Sequence, residues 1–229
     1  WDWAITGGSL VAALLWGVGL TNIVWGGPVK VDPAVTGNFI FDGTLLSLLG
    51  PVPLLGGLTF VGLFLTHGAM FISLKTDGEI RHEARALAVK TGLGTAVLAV
   101  ALLLLVNLKH PSLVGFLGAG VAAAALLASL LMATKGREGW AFGGTFACIA
   151  FAVVSYFGAL YPNAMRSSLG AANDLTLAAA SSTPTTLTIM TWAAVVFTPV
   201  VLIYTAWTYW VFRKRISVHH IPEPVAVTV

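Results

Sequence analysis

Charge is scarce in this chain. Only 9% of its 229 residues are Asp, Glu, Lys or Arg, while 57% are hydrophobic; a soluble domain carries about 25% charged residues. With mean hydropathy at +0.90, too few polar side chains exist to coat a water-facing surface, and lipid is the solvent for most of the molecule. Cysteine is almost missing as well. Cys148 is the only one and lies inside an apolar run, which excludes an internal disulfide or a thiolate-built metal site and leaves a small core residue. There is no phosphate-cradling glycine loop followed by Lys-Ser/Thr, no nucleophile elbow and no carboxylate pair inside an apolar run, so the common soluble-enzyme chemistries have no footing. The net charge of +3 reflects loops between apolar segments and is not a nucleic-acid signal.

What the sequence does have is long apolar runs. Six spans are expected, at residues 3–25, 54–74, 88–108, 113–133, 140–160 and 187–212. Each suits a hydrocarbon core of ~30 Å, which takes roughly 20 helical residues. The runs are too long and too continuous for barrel strands of ~9–11 residues. The fold class is therefore all-α, a polytopic membrane helix bundle. Residues 1–216 are expected to form the bundle and 217–229 a mobile cytoplasmic tail, in which His219 and His220 are solvated. Longer loops are expected at 26–53, 161–186 and 75–87.

Basic residues orient the bundle. If each span crosses once, one side collects Lys75, Arg81, Arg85, Lys90, Lys135, Arg137, Arg213, Lys214 and Arg215, and the other only Lys30, Lys109 and Arg166. The positive-inside rule makes the richer side cytoplasmic, with both ends of the chain there. Acidic residues at the span edges read as solvated loop charges. The opening Trp1-Asp2-Trp3 runs straight into a span with no basic segment before it and no small-residue cleavage site after it, so it reads as the downstream part of a longer protein rather than a signal peptide.

Ionisable groups inside spans are where function is sought, and His67 is the only one lying deep. It precedes Lys75 by eight residues, ~12 Å at 1.5 Å per residue. Three roles are open to it: a hydrogen-bonded packing histidine, a proton-path or hydration-site residue together with Thr66, or an axial haem ligand. No second span offers a histidine partner, and Met70, Met132, Met165 and Met190 read as core filling. Lys75, Asp77 and Arg213 mark the cytoplasmic face. Asn22 and Asn107, near span ends, are expected to bond neighbouring helices. Pro199 is expected to kink the last span, and Gly17, Gly19, Gly56 and Gly57 permit close backbone approach.

Four groups of residues, in this order, resemble subunit II of the cytochrome bd quinol oxidases. The first is Trp1-Asp2-Trp3 with Gly17-Val18-Gly19-Leu20-Thr21-Asn22 and Gly26-Gly27-Pro28. The second is Gly37-Asn38-Phe39 with Leu55-Gly56-Gly57, His67-Gly68-Ala69 and Leu74-Lys75-Thr76-Asp77-Gly78-Glu79. The third is Tyr161-Pro162 with Ser167-Ser168. The last is Ser181-Ser182, Thr186-Leu187-Thr188, Met190-Thr191-Trp192, Pro199 and Tyr204-Thr205-Ala206-Trp207. The resemblance implies a bacterial plasma-membrane heterodimer of the respiratory chain. In it a subunit I binds two b-type haems and haem d, oxidises quinol or menaquinol, and reduces oxygen to water with cytoplasmic protons, without pumping. It further implies that this chain ligates no cofactor and supports the partner. A structural quinone and small single-helix accessory subunits occur in parts of the family.

Two departures matter. Family members begin with about three further helices bearing the acidic residues usually assigned to a proton path, and the loop between Leu108 and Leu113 is very short. His67 inherits no ligand role, because the family's haem ligands belong to the other subunit. The competing class is a small transporter or channel subunit, which would show ionisable groups or broken helices near the midplane in repeated halves.

Overall fold

The computed structural model describes residues 1–35 and 38–216. Gly37 and the segment expected as a tail lie outside the described residues. Six helices are long and apolar enough to cross a membrane: α1 (Asp2–Trp25), α2 (Pro51–Lys75), α3 (Glu79–Lys109), α4 (Leu113–Thr134), α5 (Glu138–Leu160) and α7 (Pro184–Val211). The four-residue α6 (Leu177–Ala180) precedes the last. The chain is thus a multi-pass membrane protein of the expected all-α class. Helix boundaries follow local chemistry. Pro51 and Pro184 sit in the first turns of α2 and α7, where a missing N–H costs nothing. Ser112 caps α4 by accepting from the Gly115 N–H. Gly78 (φ 69°) and Gly136 (φ 70°) supply the left-handed residues of the α2–α3 and α4–α5 turns.

One expected loop is helix. Residues 79–87 form the first turns of α3, so the turn after α2 shrinks to three residues. Charges spaced along this stretch stay helical because they are paired: Arg81 and Arg85 both reach Glu138 at the start of α5.

α2 packs on α3, α4 packs on α5, and α1 lies against α2. Close approach at the α1–α2 contact depends on glycine. A Cβ on Gly17 would sit 2.6 Å from the Gly56 carbonyl oxygen, and one on Gly56 would overlap the Thr21 hydroxyl. Several hydroxyls and amides among the apolar core residues are paired inside the core, as a bilayer without water favours, while Ser73 Oγ and Asn107 Oδ1 have no partner among the described residues. Thr21 Oγ1 meets Tyr156 Oη at 3.1 Å, and the Asn107 amide donates to Ser155 Oγ at 3.0 Å and to Leu103 O at 2.8 Å. Asn22 Nδ2 bonds Val18 O and Leu48 O. Both asparagines therefore do as expected.

On the opposite side from the α2–α3 turn, the two long loops fold into small hairpins. β1 (Val29–Val31) pairs with β2 (Phe39–Phe41), and β3 (Asn163–Met165) with β4 (Leu175–Thr176). The hairpins are stitched together: Gly27 N–H donates to Arg166 O, Ser168 N–H to Gly27 O, and the Ser167 hydroxyl bonds Val29 O. α7 stands apart, with no buried residue along its length. Its C-terminal end is tied back by Lys75 Nζ donating to Phe212 O at 2.7 Å and Ile216 N–H to Lys75 O at 2.8 Å.

Candidate functional site

His67 faces α5. Its Nδ1 lies 2.7 Å from Thr145 Oγ1, and its ring stacks on Phe142 at 4.6 Å between centroids. Thr145 Oγ1 also lies 2.8 Å from Phe142 O, and with its hydroxyl proton on that carbonyl it accepts from the imidazole. That assigns the proton to Nδ1 and leaves Nε2 as the basic nitrogen. Threonine at this point does two jobs: it satisfies its own hydroxyl one turn back along α5 and orients the one ionisable side chain deep in the bundle.

Thr66 faces the other way. It is fully buried, donates to Gly62 O at 2.7 Å, and lies 3.1 Å from Thr91 Oγ1 and 3.5 Å from Thr95 Oγ1 on α3. Successive residues on a helix point ~100° apart, and here α3 and α5 take one each. Thr66 and His67 are thus neighbours in sequence that line two seams, α2–α3 and α2–α5, and the partner of His67 is Thr145.

The residues expected at the cytoplasmic face cluster. Lys75 caps the end of α7, Asp77 accepts from the Gly78 N–H at 3.0 Å and lies 3.9 Å from Arg81, and Arg213 stacks on Trp210. At their centre is a residue that sequence reasoning passed over. Glu138, expected as a solvated edge charge, is 4% exposed. Arg81 reaches it at 2.9 Å, Arg85 at 3.4 Å and Arg215 at 3.6 Å. Asp174 on the opposite side departs from expectation in the same way. It accepts from the Ser167 N–H at 2.7 Å, Asn163 Nδ2 at 3.0 Å and Arg166 at 3.2 Å. Nothing in the local sequence distinguishes these two carboxylates from the exposed ones, since their partners lie 7 to 77 residues away. Close to Asp174 is His110, at the end of α3. Burial, then the neighbouring Arg166 guanidinium, holds its imidazole below the ordinary value of 6.5.

The described histidines do not converge. His67 is in mid-span, while His82 and His110 lie towards opposite ends of α3. Among the described residues no group of three or more His, Cys, Asp or Glu side chains is placed to hold a metal. With Nδ1 engaged by Thr145 and no histidine opposite, the surroundings of His67 fit a packed, oriented base rather than one of a pair of haem ligands.

The model of one family, cytochrome bd terminal oxidase subunit II, matches residues 1–212. This chain belongs to that family. Among its relatives, cytochrome bd ubiquinol oxidase subunit 2 of Bacillus subtilis (strain 168) is 35% identical over 223 residues, covering 95% of this chain and 64% of the relative. Cytochrome bd-I ubiquinol oxidase subunit 2 of Escherichia coli (strain K12) is 30% identical over 256 residues, covering 96% of this chain and 67% of the relative. The chain therefore spans about two thirds of the length of the relatives it matches. As a member of the subunit II family it places Tyr161-Pro162 and Ser167-Ser168 in the hairpin cap, and the Leu74 to Glu79 segment at the α2–α3 turn. The segment from Thr186 to Trp207 lies in α7.

Proposed function

We propose that this chain serves as subunit II of a membrane quinol:oxygen oxidoreductase, beside a haem-bearing subunit I, with the basic face in the cytoplasm. The observation that carries the reading is the family match over residues 1–212. Six apolar spans support it, as do nine basic residues on one side against three on the other. The exposed apolar surface of α7 is what a partner subunit or lipid would cover. In this reading the haems of the partner supply the electron transfer and oxygen chemistry. The residues of this chain hold the bundle together and move protons.

His67 is the residue proposed to take part in proton uptake. Thr145 fixes its tautomer, so Nε2 is the nitrogen that accepts a proton arriving from the cytoplasmic end of α2, where Lys75, Asp77 and Arg213 define the face. Thr66 shapes the neighbouring seam from the α3 side. The transporter reading finds no support in the structure: among the described residues no Asp, Glu, Lys, Arg or second His joins His67 at mid-depth.

The test is purification of the protein from native membranes in mild detergent, followed by a reduced-minus-oxidised absorption spectrum. A far-red chlorin band together with b-type haem bands is expected in the co-purifying complex. A haem-free intact complex would sink the oxidase reading.

A further inference from the structure

The most conspicuous unused feature is a cavity of about 490 Å³ enclosed by α1 to α5. It lies in the half of the bundle away from the cytoplasmic face, since α2 contributes from its first half (Thr59 to Phe64) and α5 from its second (Cys148 to Leu160). His67 and Thr145 lie one turn beyond its inner end. Three lining side chains carry a polar atom. Thr59 donates back to Leu55 O at 2.8 Å, Tyr156 is paired with Thr21 at 3.1 Å, and the third is the Cys148 thiol. No charged residue lines it.

Such a space is about three times the ~150 Å³ engineered cavity that stays dry and takes up benzene. Water has too few partners to fill it, and an empty state would forfeit dispersion contacts along every wall. The α3 and α4 walls of the cavity reach the surface of the bundle. The lining residues Val100, Leu104 and Phe116 are themselves exposed, and a Cβ added to the exposed Gly120 would meet nothing within 4 Å.

We propose that this cavity is a binding site for one acyl chain of an outer-leaflet phospholipid, which enters between α3 and α4 and leaves its headgroup at the membrane surface. The choice of occupant follows from the lining. A quinone ring brings two carbonyl oxygens that need donors inside the site, and the lining offers only Thr59, whose proton is on Leu55 O, the Tyr156 hydroxyl shared with Thr21 and the weakly donating Cys148 thiol. A saturated or monounsaturated chain asks only for apolar walls. The chain then acts as a wedge between the α2–α3 and α4–α5 pairs, and the site is independent of the redox reaction.

The test uses the purified complex after exhaustive detergent exchange, with phospholipid and quinone quantified by mass spectrometry per polypeptide. Gly120→Leu blocks the mouth at a position with open space, and Ala152→Phe fills the interior. Gly143→Leu, at a helix position with nothing within 4 Å and outside the lining, is the control. The expected result is one phospholipid fewer per chain in Gly120→Leu and in Ala152→Phe, with the control unchanged. If Ala152→Phe fails to fold, Gly120→Leu decides alone. Unchanged phospholipid in a folded variant overturns the proposal, and so does loss of quinone in place of phospholipid. In nanodiscs, a phospholipid with a diazirine near its acyl terminus should label Leu126 or Ile149. Labelling confined to the outer helix faces would also overturn it.

Discussion

His67 shows what a single contact decides. Without Thr145 its tautomer would be free; with it, the basic nitrogen is assigned. Thr145→Val should therefore slow oxygen consumption in the same direction as His67→Leu, severalfold in each case and with haem content retained. Turnover equal to wild type in both variants would remove His67 from proton uptake. Glu138 carries a different load. Three guanidinium groups converge on it, so Glu138→Gln strands partly buried cations and should destabilise the detergent-purified protein by about 3 kcal/mol, read as a lowered thermal midpoint. His110 yields a pH effect of definite sign. Its folded-state pKa lies below the unfolded 6.5, so on acidification the unfolded chain binds the proton first. The stability owed to neutral His110 is complete above about pH 6.5 and is lost as pH falls through the depressed folded value. Lys109, Arg166 and Asp174 are the charges that face it. His110→Asn should flatten the dependence of the thermal midpoint on pH across that window.

At the scale of elements, helix pairing is decided by where side chains are small. α1 meets α2 at Gly17, Gly56 and Gly57 with backbone in contact with backbone, whereas Gly19, two residues from Gly17, has nothing within 4 Å. Gly17→Val should force the helices apart at a cost of about 1–3 kcal/mol, and Gly19→Ala should be neutral or slightly stabilising. Comparative melting of the two variants separates packing from helix propensity. α3 makes the complementary point. Its first turns look like a charged loop in the sequence and are helical because a carboxylate from α5 neutralises two of their arginines. α7 is pinned at its C-terminal end through Lys75 and Arg215 and unpacked along its span.

For the whole molecule, a basic face and a face of paired hairpins lie at opposite ends, and the proposed orientation puts the basic one in the cytoplasm. A cysteine introduced at the exposed Ser168 is expected to react with a membrane-impermeant maleimide in intact cells. One at Lys135 or Lys214 should react only after permeabilisation, and the buried Cys148 should stay silent in both. Reversed labelling would invert the assignment and with it the direction of proton entry. The two outer loops act as one cap, because Gly27, Val29 and Val31 bond Ser168, Ser167 and Asn173 across more than a hundred residues of chain.

The number, class and approximate limits of the membrane helices were legible in the sequence. So was the bias of basic charge, because hydrophobic length and flanking cations act locally and add up along the chain. The family, too, was legible, from motifs spread over the same helices. His67 stood out because an ionisable group inside an apolar run is costly wherever it occurs. Its partner did not stand out, and neither did the burial of Glu138 and Asp174, the separation of Thr66 from His67, or the cavity. Those depend on which helices meet and at what height. A threonine, a glutamate or a glycine acquires its role there from a residue far away in the chain, and only tertiary packing brings the two within hydrogen-bonding or van der Waals range.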